Sequence, residues 1–184
     1  MSASLRHIRL DSVDSTNTWA RQEIARLAEG TIVTARHQTG GRGRGSNRWV
    51  CPPGGGALFS LVIDRRKEWD FSDLGRLSVD AAEITAKFIR DKWNLEAVAK
   101  VPNDVMVFGR KICGILVEEA ADKIIVGIGL NTDLDPALLN IGGEATSVYA
   151  LRQQRSDNEG IALELAGLLL ERFTTSKPGP LEDR

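Results

Sequence analysis

Residues 97–130 read AVAKVPNDVMVFGRKICGILVEEAADKIIVGIGL, and their pattern decides the architecture. Apolar runs alternate with turn signals. A strand ends at Val101, Pro102-Asn103-Asp104 turns the chain, Val105 to Phe108 leads to a tight turn at Gly109-Arg110, and Lys111 to Glu118 and Lys123 to Leu130 follow. That succession reads as a β-meander. Polar groups are set into it at Lys100, Asn103, Asp104 and Lys111, which calls for a reason. An Asx turn accounts for Pro-Asn-Asp as simply as a binding role does, and a hairpin end accounts for Lys111.

Outward from the meander, helices and strands alternate. Leu74, Leu77, Ala81, Ile84 and Phe88 recur at spacings of three and four, so Asp73 to Trp93 is expected as the longest amphipathic helix. Before it, Thr31 to Ala35 and the apolar run Ala57 to Ile63 read as strands, and Asp14 or Ser15 caps a first helix that ends at Gly30. After the meander come a polar loop from Asn131 to about Thr146 and a last helix, Glu159 to Phe173. The tail Lys177-Pro178-Gly179-Pro180 cannot continue that helix. The sum is an α+β domain with helices packed on one face of a largely antiparallel sheet, the other face being left for a ligand or partner.

With 184 residues, 42% of them hydrophobic, the chain suits one domain, residues 1–184. Its 24 basic and 25 acidic residues give a net charge of −1, so no global field collects nucleic acid or anionic lipid. Cys51 and Cys113 form no Cys-x-x-Cys pattern and are read as reduced thiols, neither a disulfide scaffold nor a zinc site. No apolar run approaches the roughly 18 residues needed to cross a bilayer, so a cytoplasmic location is the expectation.

Local positive charge is concentrated in Gln38-Thr39-Gly40-Gly41-Arg42-Gly43-Arg44-Gly45-Ser46-Asn47-Arg48-Trp49. Glycine lets backbone N–H groups turn toward a ligand, and guanidinium adds forked donors for phosphate or carboxylate. The stretch lacks the Gly-Lys-Ser/Thr ending of a P-loop and runs on into Val50-Cys51-Pro52, not a helix, so Walker and Rossmann readings fail. A solvated turn with exposed arginines is the plain alternative. An RGG-type nucleic-acid segment is disfavoured by the near-neutral charge and the lack of interleaved aromatics.

These motifs together resemble the biotin protein ligases, of the superfamily shared with lipoate ligases and octanoyltransferases. The matches are Asp14-Ser15-Thr16-Asn17, Gln38 with Gly41-Arg42-Gly43-Arg44 and Trp49, Lys100 with Pro102-Asn103-Asp104, Lys111 to Glu118, Gly127-Ile128-Gly129-Leu130-Asn131, and Ala145-Thr146-Ser147. They lie in the family's order over roughly residues 8 to 174. The resemblance implies a mixed, largely antiparallel, class II synthetase-like catalytic domain. It also implies ATP-dependent adenylation of biotin with Mg²⁺, then transfer of the acyl group to a lysine of a biotin carboxyl carrier protein. Lys111 and Arg44 are then the catalytic residues that neutralise the approaching anions. Ser15, Thr16, Asn17, Gln38, Gly41, Arg42, Gly114, Ile115 and Leu116 would hold biotin, with Gly127 and Gly129 leaving room for its acyl chain. Arg42, Gly43, Arg44, Arg48, Trp49, Lys100, Asn103, Asp104, Lys111 and Asn131 would face ATP or the adenylate, Asp104 also being the candidate Mg²⁺ ligand. The loop from Gly40 to Trp49 is expected to order over the intermediate.

The chain departs from the family pattern at Val101, where tryptophan is usual, and at Ser46 and Asn47, where glycine and arginine are usual. The usual C-terminal β-domain and any N-terminal helix-turn-helix are expected to be absent, so no operator binding is expected. A homodimer is a family-based expectation. The rivals are a lipoate or octanoyl transferase of the same superfamily, with Cys113 as nucleophile on the same strand face as Lys111, and a biotin-binding paralogue that does not transfer. His7 and His37 read as structural or exposed, and Trp19, Trp69 and Trp93 as packing residues.

Overall fold

The computed structural model describes residues 4–67, 69, 71–135 and 144–175, the side chains of residues 71 and 72 excepted. The expected tail, Lys177 to Pro180, and the centre of the polar loop lie outside these residues.

The meander forms as the sequence predicts: β4 (Ala97–Lys100), β5 (Asp104–Val107), β6 (Arg110–Ala120) and β7 (Lys123–Asn131) pair antiparallel in succession. The earlier strands β2 (Thr31–Gln38) and β3 (Gly56–Asp64) join it through β7. A strand that the sequence pattern did not reveal, β1 (Arg6–Val13), pairs parallel with β2 at the edge. The sheet order is β1-β2-β3-β7-β6-β5-β4. Along β1 only the apolar residues Ile8, Leu10 and Val13 are half-buried and none is fully buried, which explains its weak signal: an edge strand with charged residues lacks the apolar face that marks inner strands.

The two long helices cover one face. The helix α2 (Phe71–Trp93) and α4 (Asn158–Thr175) bury Leu77, Ala81, Ile89, Leu165, Leu169 and Phe173 against Ile32, Phe59, Leu61, Ile63, Ile124, Val126 and Ile128. Alternate residues of the same strands, Val33, Val62 and Ile125, point the other way and meet Ala20 and Leu27. The short helix α1 (Thr16–Gln22) therefore lies on the second face, where the sequence reading left the sheet free. It is also shorter than expected. Ser15 Oγ caps it by accepting from Thr18 N, but it ends at Gln22, and a 3₁₀ turn at Ile24–Arg26 carries the chain on toward Gly30. A further short helix, α3 (Val148–Arg152), capped by Ser147, was not read from the sequence.

One irregularity positions the site. Between β5 and β6, Val105 faces Cys113 and Met106 faces Lys111, so Ile112 is an extra residue in a β-bulge. Strict alternation would put Lys111 and Cys113 on one face. The bulge separates them: Ile112 and Cys113 are both buried in the main core, while Lys111 is half-buried on the other side. Lys111 also leaves the ladder with β7, its backbone pairing with Glu144 and Thr146.

Candidate functional site

The second face of the sheet holds a cavity of ≈ 330 Å³ floored by Gly114, Leu116, Gly127 and Gly129 on the adjacent strands β6 and β7. The N-terminus of α1 closes one end with Ser15, Thr16 and Asn17, alongside Gln38 at the end of β2. The arginine loop forms a wall with Arg42, Gly43, Arg44, Arg48 and Trp49, and Asn103, Asp104 and Lys111 complete the rim. Thus most residues that the sequence singled out converge, from six separate segments, on one space.

Gly41, Lys100 and Asn131 do not line it. Gly41 is structural: a Cβ there would stand 2.3 Å from Trp49 O, so only glycine lets the two sides of the arginine loop approach. Lys100 and Asn131 line an adjoining cavity of ≈ 580 Å³ that shares Arg48, Trp49, Asp104 and Lys111 with the first. Asn131 Nδ2 donates to Thr146 O while its Oδ1, buried, has no partner among the described residues.

Part of the backbone of the arginine loop is paired internally. The loop folds as a small ribbon: Gly43 N donates to Asn47 O, Trp49 N to Gly41 O, and Arg42 bridges Arg48. Those two backbone donors serve the loop itself and are not offered to a ligand. The Arg42 guanidinium is engaged by Glu118, at 2.8 Å to Oε1 and 3.1 Å to Oε2. Arg44, at the ribbon tip, is exposed and has no ion-pair partner among the described residues, leaving its charge available to a ligand.

Two expected openings are occupied. A Cβ on Gly127 would lie 2.2 Å from Asn17 Oδ1, and one on Gly129 would lie 2.4 Å from Trp49 Cε2. The room expected for an acyl chain is thus taken by the Asn17 carboxamide and the Trp49 indole, whose Nε1 is buried without a hydrogen-bond partner. At the cationic end, Lys111 Nζ pairs with Asp104 Oδ1 at 2.5 Å. Asn103 is bound to β6, its Nδ2 donating to Ile115 O while Ile115 N donates to Asn103 O. Among the described residues no group of three or more His, Cys, Asp or Glu could hold a metal ion, and Asp104 already faces Lys111.

Ser60 and Glu118 were missed as site-supporting residues. Ser60, on β3, contacts Asn17 Oδ1 at 2.5 Å and Thr16 Oγ1 at 2.8 Å. Glu118 accepts from Asn17 Nδ2 at 2.9 Å as well as from Arg42. Burial raises the Glu118 pKa, but hydrogen bonds from Asn17 and Arg42 and the charges of Arg42 and Arg21 outweigh it and hold the carboxyl below its ordinary range. A signal for Ser60 was available: it is the one polar residue within Ala57 to Ile63.

Cys113 is fully buried, and burial pushes its thiol far above the ordinary range; Cys51 is pushed up to about 12 for the same reason. Neither forms a thiolate at neutral pH. His7 Nε2 meets Thr34 Oγ1 at 2.8 Å, a structural contact, and Trp93 packs edge-on to Phe88.

Sheet, helices and cavity define an α+β domain in which a polar wall faces a cationic one across the cavity. The chain belongs to the biotin/lipoate A/B protein ligase family, whose model matches residues 9–135. It is 32% identical over 164 residues to the bifunctional ligase/repressor BirA of Bacillus subtilis, covering 84% of this chain and 50% of that one. It is 30% identical over 165 residues to the biotin–[acetyl-CoA-carboxylase] ligase of Mycobacterium tuberculosis, covering 85% of this chain and 61% of that one. The chain spans about half the length of the BirA relatives it matches. Among solved structures, the Aquifex aeolicus biotin protein ligase in complex with biotin and ATP superposes with a TM-score of 0.78 at 27% identity, covering 91% of this chain and 71% of that one. No helix among the described residues is long and apolar enough to cross a membrane.

Proposed function

We propose that this chain adenylates biotin with ATP and passes the biotinyl group to a lysine of a biotin carboxyl carrier protein. The observation that carries the reading is the meeting of the Thr16–Gln38 polar end with Arg44 and Lys111 in one cavity. A neutral ureido ring needs paired donors and acceptors in a dry site, and a carboxylate approaching an α-phosphate needs its repulsion neutralised. The Aquifex relative, crystallised with biotin and ATP, supports the same pairing of ligands.

In the first step a biotin carboxylate oxygen attacks the α-phosphorus, the bond to the β-phosphate bridge breaks, and pyrophosphate leaves. Arg44 and Lys111 face the charge that gathers there, and Lys111 exchanges its Asp104 partner for phosphate oxygen. In the second step a neutral carrier lysine attacks the acyl carbon, the acyl C–O bond breaks, AMP leaves, and the nitrogen loses a proton. A mixed anhydride hydrolyses in open water, so Trp49 and the arginine ribbon serve as its cover. Mg²⁺ would arrive on the phosphates, with Asp104 as its protein oxygen, in keeping with the few carboxylates that such ions use. The adjoining cavity with Lys100 and Asn131 is the place for the nucleoside.

Cys113 gives little support to cysteine-based octanoyl transfer, because its buried thiol faces the core and Lys111 faces the cavity. The deciding experiment is acid-dependent ATP–pyrophosphate exchange with biotin, lipoate and octanoate. Exchange with biotin supports the reading, and exchange with lipoate or octanoate alone overturns it. Transfer is tested on a carrier domain by mass. A cytoplasmic homodimer joined at a sheet edge completes the proposal; light scattering that finds only monomer removes the dimer.

A further inference from the structure

Behind the polar end of the cavity runs a continuous chain of hydrogen bonds, and its donors and acceptors can be assigned one by one. Asn17 Nδ2 lies 2.9 Å from Glu118 Oε2 and 3.1 Å from Leu116 O. A carboxylate and a backbone carbonyl only accept, so the amide nitrogen must face them and Oδ1 must face Ser60. Oδ1 also only accepts. The single Ser60 proton therefore goes to Asn17, across 2.5 Å.

Ser60 Oγ stands 2.8 Å from Thr16 Oγ1 as well, and with its proton committed it can only accept there. The proton on that contact is then the one from Thr16. Gln38 Oε1, 3.1 Å from the same hydroxyl, competes for it, but it already accepts from Thr16 N at 2.7 Å. Giving the hydroxyl proton to Gln38 would set lone pairs of Ser60 and Thr16 against each other at the shorter distance. The Thr16 oxygen thus faces the cavity with lone pairs and no proton, and Gln38 keeps Nε2 as its donor end.

We propose that Ser60, fully buried and outside the cavity lining, is a positioning residue that sets headgroup specificity: by holding the Thr16 proton it makes the end wall accept a hydrogen bond from a ring N–H. This rests on the biotin reading above. A site built to pair with a ligand N–H discriminates against acids lacking one, because its own polar groups are then left unpaired. Octanoate and lipoate, with no N–H at the head, would be disfavoured through Thr16, and the ureido ring favoured.

The test is calorimetric binding of biotin, octanoate and ATP to the wild-type chain, Ser60→Ala, Thr16→Val and the double variant. Biotin affinity is expected to fall about tenfold in Ser60→Ala, the scale of one lost hydrogen bond, with ATP and octanoate affinity unchanged. In the Thr16→Val background Ser60→Ala should change biotin affinity less than about twofold, because residues acting through one another are not additive. Ser60→Cys, close in volume with only a weak S–H donor, should show an intermediate loss and replaces Ser60→Ala if that variant does not fold. Undiminished loss in the double variant, wild-type biotin affinity in Ser60→Ala, or an equal loss of ATP affinity overturns the proposal. A wild-type chain that binds no biotin overturns the functional reading and this inference together, whereas biotin binding with additive variants overturns this inference alone.

Discussion

Lys111 Nζ stands 2.5 Å from Asp104 Oδ1 and 5.5 Å from the centroid of the Trp49 ring, so a flexible cation is tethered by a carboxylate on one side and an indole face on the other. The lysine, the carboxylate and the aromatic cover are held by β6, β5 and the arginine ribbon respectively. A ligand phosphate arriving between them would rearrange all three.

Lys111→Ala should lower biotin-dependent pyrophosphate exchange by roughly 10²- to 10³-fold, the range for losing one preorganised group at a developing charge. The pair is a third and a quarter exposed, so its loss should cost no more than about 1 kcal/mol of stability after solvent screening. Exchange assays beside thermal melts check both; full activity in the variant removes the proposed role.

Trp49 should report ligand binding by fluorescence. Its indole fills the space over Gly129 with Nε1 unpaired, so an acyl chain entering there must move it. Biotin with ATP should change the emission of the wild-type chain and leave Trp49→Phe unchanged, although Trp19, Trp69 and Trp93 remain. An equal change in both proteins would place the ligand elsewhere.

Gly127→Ala should be destabilising, because its Cβ would meet Asn17 Oδ1 at 2.2 Å and force apart the Asn17–Ser60 contact. A loss of about 1–3 kcal/mol, typical of overpacking, is expected in urea unfolding. Gly75→Ala, with open space around its Cβ, is the control.

Acid should release the arginine ribbon. Because Glu118 is held below its ordinary pKa, its stabilising effect is present above the unfolded value of about 4.3 and is lost as pH falls through the lower folded value. Glu118→Gln turns one oxygen facing Arg42 and Arg21 into a donor and should speed tryptic cleavage within residues 42–48 at neutral pH. The melting difference between variant and wild type should shrink on acidification below that range. A constant difference at all pH values would show that Glu118 carries no such latch.

Both thiols should resist Ellman's reagent in the folded chain near neutral pH and react on unfolding, since burial raises Cys51 to about 12 and Cys113 further. Cys113→Ala should retain exchange activity. Its abolition with the fold intact would reopen the thioester chemistry.

The meander and the long helix were legible because each carries a dense periodic signal, as in Leu74-Leu77-Ala81 and Lys123 to Leu130. The site residues were legible through order: Thr16, Gln38, Arg44, Lys111 and Gly129 stand in a recognisable series and do meet. Spacing along one strand did not reveal the Ile112 bulge, since Lys111-Ile112-Cys113 alternates normally and only cross-strand register shows the surplus residue. Nor did it reveal β1, whose charged edge hides its period, or the use of Gly43 and Trp49 N–H groups inside the loop. Those properties arise between segments, where a linear pattern carries no information.

The bulge at Ile112 also divides labour along β6. On its early side the strand answers to the cavity through Lys111; just beyond, Ile112 and Cys113 answer only to interior volume. Substitutions that tune packing at those two positions can therefore accumulate without redirecting the lysine, whereas deleting a single residue would rotate the lysine inward with every chemical group in place. Chain length, more than side-chain identity, guards this part of the site.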